Sequence, residues 1–253
     1  MPVAVTRQVS PRFAECELTH IERTPIDLDT ARSQHKNYLR ALASLGCRVV
    51  DLPALADLPD SVFVEDTAVV LPEVAIITRP GAVSRRPEVT SIAEALQPYR
   101  ELVSIEEPAT LDGGDVLVLG RDIFVGLSTR SGIPAIESLQ LSLKRYGYSV
   151  QGVELHDCLH LKSAVTSLDP DRLLVNPDWL DVRTLGNRVL IEVDQTEPFA
   201  ANILMIGGTG LYPTAFPKTE NKLSRGGVKL LSVDVSELAK AEGAVTCCSL
   251  ILD

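Results

Sequence analysis

Leu28, Ala31, His35, Tyr38, Leu42 and Leu45 recur at steps of three and four through LDTARSQHKNYLRALASLG. That spacing predicts a helix with one buried face, and Gly46 supplies its C-terminal stop. The strand-like CRVVDL follows at once. The same order then returns along the chain. PEVTSIAEALQPYR leads into ELVSI, IPAIESLQLSLKRYG into YSVQGVEL, PDWLDVRTLG into NRVLIEV, and PKTENKLSRGG into VKLLSVDV. Short β-rich stretches (TAVVL, VAIIT, DVLVLG, DIFVGL, NILMIGG) lie between these units. Five helix-then-strand units starting roughly 40 to 60 residues apart point to a repeat architecture rather than a doubly wound sheet. Residue-level similarity between the units is poor, so the repeat is structural. No Pro/Gly/Ser linker separates two halves, and residues 1–253 read as a single domain.

Composition narrows the class. The chain is 45% hydrophobic and 23% charged, as expected of a soluble globular protein. No apolar run approaches the roughly 18 residues that span a bilayer. The opening MPVAVTRQVSPRF carries no apolar h-region, so no secretory leader is expected. Five cysteines at irregular spacing suggest neither a disulfide framework nor a zinc site, and a reducing cytoplasm is the expected compartment. A net charge of -10 disfavours nucleic acid as a partner.

The polar clusters fall between the repeating units, where a scaffold usually carries function. In LPDSVFVEDTAVV, Asp60, Glu65 and Asp66 flank an apolar VFV and lead into a strand. They read either as a solvated turn or as a site for a cationic ligand, since buried carboxylates need a cation. In TLDGGDVLVLG, Asp112 and Asp115 bracket two glycines, a hairpin or bulge signal without the ligand spacing of a calcium loop. LHDCLHLKSAVTSL carries His160 just before an alternating strand, with Lys162 and Ser163 beside it. GGTG at 207–210 lacks the spacing of a dinucleotide fingerprint.

Cys247 and Cys248 stand side by side in the terminal GAVTCCSLILD. On an alternating strand they would face opposite sides, one toward a core and one toward a cavity. Two small buried hydrophobes is the commoner fate of such residues. With His160 available, a Cys–His pair that generates a nucleophile is the sharper reading. Carboxylates beside a thiol normally suppress its ionisation. They make chemical sense if the ligand is itself a cation lying between them and the sulfur, and a planar guanidinium fits. Arg85 and Arg130 complete the candidate set, which has no metal-ligand spacing and no cofactor fingerprint.

DSVFVEDTAVV, ITRPGAVSRR, LDGGDVLVLG, IFVGLSTR, LHLKSAV and TCCSLIL stand in the order seen in the dimethylarginine dimethylaminohydrolase family, which the chain resembles over nearly its whole length. The resemblance implies a five-bladed α/β propeller of pseudo-fivefold ββαβ units, the guanidino-modifying (pentein) fold. By matching position, Cys247 resembles the nucleophile and His160 the general acid and base. Asp66 and Asp112 resemble the carboxylates that hold the guanidinium, with Asp60 and Glu65 close by. Arg85 and Arg130 resemble the arginines that bind the substrate α-carboxylate, and the carbonyl of Ala241 the group that meets the α-amine.

The implied reaction is hydrolysis of Nω-methylated arginines to citrulline and an alkylamine through a covalent cysteine thiouronium, with a small guanidino compound as partner and no cofactor. The oligomeric state stays open, a homodimer being the assembly considered. Two departures stand out. SGIP follows Arg130, where the family more often continues with Thr-Asn, and the expected lid SPRFAECELTH carries Glu15 and Glu17, with Phe13 or Leu18 to supply its apolar contact. The alternatives are another guanidine deiminase, hydrolase or amidinotransferase of this fold, a non-catalytic binder of arginine-like ligands, and a thiol redox sensor.

Overall fold

Fifteen strands, none longer than six residues, pair only in groups of three, so no sheet is wide enough to stand alone. The computed structural model describes residues 1–253. In chain order its regular elements begin with β1 (Val3–Arg7), α1 (Leu28–Ser44), β2 (Arg48–Leu52), β3 (Ala68–Val70), β4 (Val74–Ile77), α2 (Val89–Leu96) and β5 (Glu101–Ser104). They continue with β6 (Val116–Leu119), β7 (Asp122–Leu127), α3 (Ile133–Leu143), β8 (Ser149–Glu154), α4 (Leu161–Ala164), β9 (Val165–Asp169) and β10 (Arg172–Val175). The last group is β11 (Val189–Glu192), β12 (Leu204–Ile206), β13 (Thr209–Pro213), α5 (Pro217–Arg225), β14 (Lys229–Val233), α6 (Ser236–Ala239) and β15 (Leu250–Leu252).

Each sheet has one plan. Its first strand pairs antiparallel with its second, and a crossover returns the chain to a third strand parallel to the second. Three blades follow directly, β3-β4-β5, β6-β7-β8 and β12-β13-β14, with α2, α3 and α5 as crossovers. In the blade β9-β10-β11 the crossover predicted as a helix over PDWLDVRTLG is a single 3-10 turn, Val182–Leu185. Asp181 caps that turn, and Gly186, at φ +73°, ends it after four residues. The remaining blade joins the two ends of the chain. β15 pairs antiparallel with β1, and α1 carries the chain to the parallel β2.

The five innermost strands β3, β6, β9, β12 and β15 line one central channel with a cavity of about 420 Å³. The architecture is the five-bladed α/β propeller. α1 forms as its periodicity predicts: Asp27 caps it by accepting from the Thr30 amide, and Ala31, His35, Tyr38 and Leu42 are buried. The Tyr38 hydroxyl lies 2.7 Å from both the Val245 carbonyl and the Ser249 hydroxyl, tying this outer helix to the segment that carries Cys247. Gly207 and Gly208, both at positive φ, make the two-residue turn between β12 and β13, the structural use of GGTG. No helix is long and apolar enough to cross a membrane.

Candidate active site

The chemistry-bearing residues lie at the entrance to the innermost strands. Asp66 sits in a 3-10 turn (64–67) before β3, Asp112 just ahead of the turn (113–115) before β6, and His160 at the N-cap of α4, which runs into β9. Cys247 lies in the turn before β15. In the remaining blade the matching place before β12 is taken by Asn202. The repeat therefore delivers one polar side chain per blade to one mouth of the channel.

Glu65 and Asp66 are buried at 7% and 3% exposure, which excludes the solvated-turn reading. Their counter-charges are specific. Asp66 accepts from Arg85 Nη1 at 2.6 Å and from the Gly114 amide at 3.0 Å. Glu65 accepts from Lys162 Nζ and from the Thr246 hydroxyl, each at 2.7 Å. Asn202 donates to that same hydroxyl and accepts from the Thr246 amide. The glycines of LDGGD are required by proximity. A Cβ on Gly113 would lie 1.9 Å from the Glu65 carbonyl, and one on Gly114 would lie 2.7 Å from His160 Nδ1 and 2.8 Å from Asp66 Oδ1.

His160 is held between two carboxylates, with Nε2 3.1 Å from Asp112 Oδ2 and Nδ1 3.8 Å from Asp66 Oδ1. Burial opposes its charge, but Asp66, Asp115 and Asp112 outweigh burial and raise its pKa to about 9. Burial likewise works against the Asp66 carboxylate, yet His160 and Arg85 hold it down at about 2. Asp115 is pushed up by its own burial, to about 6. Donor atoms of Asp66, Asp112 and His160 lie within 4.8 Å of one another, a spacing that could hold a metal ion. An imidazole kept protonated has no lone pair to offer, and its charge competes with any cation for the two carboxylates.

Cys247 and Cys248 occupy a turn, not the strand expected for them. Their opposite settings come from that turn. Cys248 is wholly buried in the core around Tyr38 and Phe63, whereas Cys247 is only partly covered and its sulfur accepts from the Ala244 amide at 3.3 Å. Burial and the nearby Glu65 and Asp66 charges push the Cys247 thiol well above its ordinary value. The thiol and the His160 imidazole line the same pocket.

Asp60, Asp66, Arg85, Arg130, His160, Ala241 and Cys247 line one pocket, together with Glu17 and Glu242. Asp60 accepts from the Glu17 amide. Arg85 is held on several sides: it bonds Asp66 through Nη1, both Glu88 oxygens, and the carbonyls of Asp60 and Phe63 through Nη2. Arg130 is more loosely held, 3.7 Å from Asp112 Oδ2 and 3.2 Å from the Thr19 hydroxyl. The pocket encloses only about 20 Å³, because the segment 16–21 lies over it. Glu242 clasps that segment by accepting from the amides of Thr19, His20 and Ile21. Both expected lid residues pack on the core that carries the pocket residues Phe63 and Ala241. Phe13 is buried edge-on against Phe63, Leu18 packs on the same core, and Glu17 is the lid side chain at the pocket.

Fold and site together define the class, a five-bladed α/β propeller of the guanidino-modifying superfamily. The arginine deiminase family model matches residues 54–204, more than half of the chain. The chain is 39% identical over 251 residues to the N(G),N(G)-dimethylarginine dimethylaminohydrolase of Streptomyces coelicolor, covering 98% of this chain and 96% of that one. A mutant of the Pseudomonas aeruginosa enzyme complexed with citrulline superposes with a TM-score of 0.93 at 31% identity, over 98% of both chains. A dimethylarginine dimethylaminohydrolase adduct with S-methyl-L-thiocitrulline gives a TM-score of 0.94 at the same identity and coverage. The chain belongs to the dimethylarginine dimethylaminohydrolase family.

Proposed function

We propose that this protein hydrolyses Nω-methylated arginines to citrulline and methylamine or dimethylamine, with Cys247 as nucleophile and His160 as acid and base. The observation that carries the reading is the pairing, in one closed pocket, of a neutral thiol with an imidazolium that two carboxylates hold at both nitrogens. The citrulline and S-methyl-L-thiocitrulline complexes of related enzymes support the same substrate class.

The substrate guanidinium binds against Asp66, with Asp60 nearby; Asp112, wholly buried, holds the His160 ring, and Glu65 lines the channel cavity. Its positive charge offsets the Glu65 and Asp66 anions that suppress ionisation of Cys247, so binding lowers the thiol pKa and the thiol proton passes to solvent. The thiolate attacks the guanidino carbon and forms a C–S bond and a tetrahedral adduct. His160 gives its proton to the alkylamine nitrogen, and the C–N bond breaks with its electron pair leaving on a neutral amine. A thiouronium remains on Cys247. The now neutral His160 takes a proton from water, hydroxide adds to the same carbon, and collapse breaks the C–S bond with its electron pair returning to sulfur, which takes up the adduct's hydroxyl proton and frees the neutral ureido product. Arg130 meets the α-carboxylate. Arg85, which lines the same pocket, adds its charge to that end while holding Asp66. The carbonyl of Ala241 accepts from the α-amine.

The five unpaired cysteines fit a reducing, cytoplasmic setting. Five blades around one channel, with both chain ends in one sheet, support reading residues 1–253 as a single domain.

The test is release of citrulline and dimethylamine from dimethylarginine by wild type, Cys247→Ser and Cys248→Ser. Cys247→Ser is expected to abolish turnover and Cys248→Ser to retain most of it. If Cys248→Ser were the dead variant, or if wild type bound the substrate without releasing amine, the reading would fall.

A further inference from the structure

Asp115 is wholly buried, carries no part of the mechanism above, and spends both carboxylate oxygens on two different segments. Oδ1 accepts from the Leu161 amide at 3.0 Å, the residue directly after His160. Oδ2 accepts from the Ser128 hydroxyl at 2.6 Å. The Ser128 oxygen in turn accepts from the amides of Arg130 at 3.0 Å and Ser131 at 3.2 Å. Ser131 closes the circuit, its hydroxyl accepting from the Asp112 amide at 3.0 Å.

We infer that Asp115 is a positioning residue that locks the His160 turn and the Arg130 loop into one unit, setting the distance between the reacting carbon and the carboxylate-reading end of an amino-acid substrate. This inference rests on the proposed function.

The polarity of the circuit explains why an ionised carboxylate is needed. Ser128 has one hydrogen, and its oxygen is already occupied by two amides. The hydroxyl must therefore donate, and its partner must accept. Asp115 must at the same moment accept from Leu161 on its other oxygen, which an ionised carboxylate does and an asparagine cannot. An Asn at 115 that keeps its oxygen on Leu161 turns a donor toward Ser128 and breaks the link at that end. The arrangement also accounts for the stretch after Arg130. A serine at 131 supplies the hydroxyl that holds the Asp112 backbone, so SGIP is a working part of the loop.

The test compares Ser128→Ala, Ser128→Thr and Asp115→Asn with wild type on dimethylarginine and on agmatine, a guanidine without the carboxylate. Thermal melts check folding, and the His160 imidazole is titrated by NMR. Ser128→Ala frees only the Arg130 side, so KM for dimethylarginine should rise about 10-fold with kcat within about 2-fold. Its rate on agmatine should be unchanged, and Ser128→Thr should restore KM. Asp115→Asn touches both sides, so KM should rise and kcat should fall by roughly 10- to 100-fold. The His160 midpoint should move down from about 9 as one of its supporting anions is lost.

Wild-type constants in a folded Asp115→Asn would overturn the inference. So would an Asp115→Asn loss of equal size on both substrates combined with a Ser128→Ala that behaves as wild type, since that pattern is structural damage alone. If wild type does not hydrolyse dimethylarginine, the functional reading fails separately. The NMR midpoint then still decides the link from Asp115 to His160, an unmoved midpoint overturning it.

Discussion

Two histidines of this protein are almost equally hidden, His35 at 3% exposure and His160 at 6%. Their chemistry is opposite. His35 lies on the buried face of α1, stacked on Tyr38, with an Nε2 that meets no hydrogen-bond partner. Burial lowers its pKa to about 4, and the charge of Asp51 only partly resists. His160 has the carboxylates of Asp66, Asp112 and Asp115 around it, Arg85 behind Asp66 and Arg130 beside Asp112, and its pKa is raised to about 9. Burial by itself removes a proton from imidazole; only the carboxylates make a buried imidazole into an acid. Those carboxylates tolerate burial because each is tied to a cation or an amide, so the acid is a product of the whole mouth of the channel.

The sharpest way to break this contrast is to remove each ring in turn. His160→Ala should lose both proton transfers and lower kcat by about 10² to 10⁴. His35→Ala should leave kcat within about 2-fold once a folded sample is in hand, since it touches no reacting group. Acid-quenched samples of His160→Ala, examined by mass spectrometry, should reveal whether the covalent adduct still forms. Near-wild-type turnover by His160→Ala would end the assignment of the acid.

What the sequence discloses follows the same line. α1 and its buried face are legible because a helix writes its environment into a local period, and His35 falls on that face. Four of the five crossovers are helices and are legible for the same reason. The fourth, over PDWLDVRTLG, is not, because Trp179 and Leu180 go into the core ahead of a one-turn 3-10 segment and mimic a helical spacing. The strands β1, β10 and β13 are not legible, being defined by their partners. β1 lies between β15 and β2, and nothing local announces a partner at the other end of the chain.

At the site, Asp66, Asp112, His160 and Cys247 could be singled out through motif order. The residues that tune them could not. Lys162 meets Glu65 across 97 positions and Thr246 meets it across 181, Glu88 and Asn202 carry no distinguishing neighbours, and Asp115 shows only as a carboxylate beside two glycines. In the sequence Lys162 stands out only as a neighbour of His160. The engagement of Arg85 by Glu88 does follow a local signal, an i,i+3 spacing.

A smaller effect comes from weakening one carboxylate while leaving the ring. Asp112→Asn keeps an oxygen for the Gly81 amide, which the Asp112 carboxylate now meets at 2.9 Å, but removes the anion at His160 Nε2. The imidazolium loses part of its stabilisation, so its pKa must fall, while Asp66 and Asp115 keep it above that of a ring such as His35. In wild type the alkaline limb of kcat/KM should lie near pH 9, where His160 gives up its proton. In Asp112→Asn that limb should move to lower pH, with kcat reduced about 10-fold at neutral pH. A limb that stayed in place would mean that Asp112 does not set the charge of His160.

The smallest effect is on stability, and it separates the two histidines by sign. His160 binds its proton more tightly in the folded chain than at its ordinary value of 6.5, so its contribution is complete below that pH and is lost as pH rises through about 9. His35 binds its proton less tightly when folded, so its contribution is present above pH 6.5 and is lost as pH falls toward about 4. Replacing His35 by Leu, close to it in volume and without ring nitrogens, removes both the unpartnered Nε2 and the acid-side loss. Urea unfolding of His35→Leu should give a gain of about 1 kcal/mol at neutral pH, the rough cost of a buried polar atom left without a partner. The gain should widen between pH 6.5 and pH 4, because there the wild-type ring takes up a proton only when unfolding exposes it, which favours the unfolded chain, and the variant has no such ring. Turnover should be unchanged throughout. A gain that stayed constant across that interval would show that His35 titrates normally in the fold, and the contrast with His160 would then reduce to the carboxylates alone.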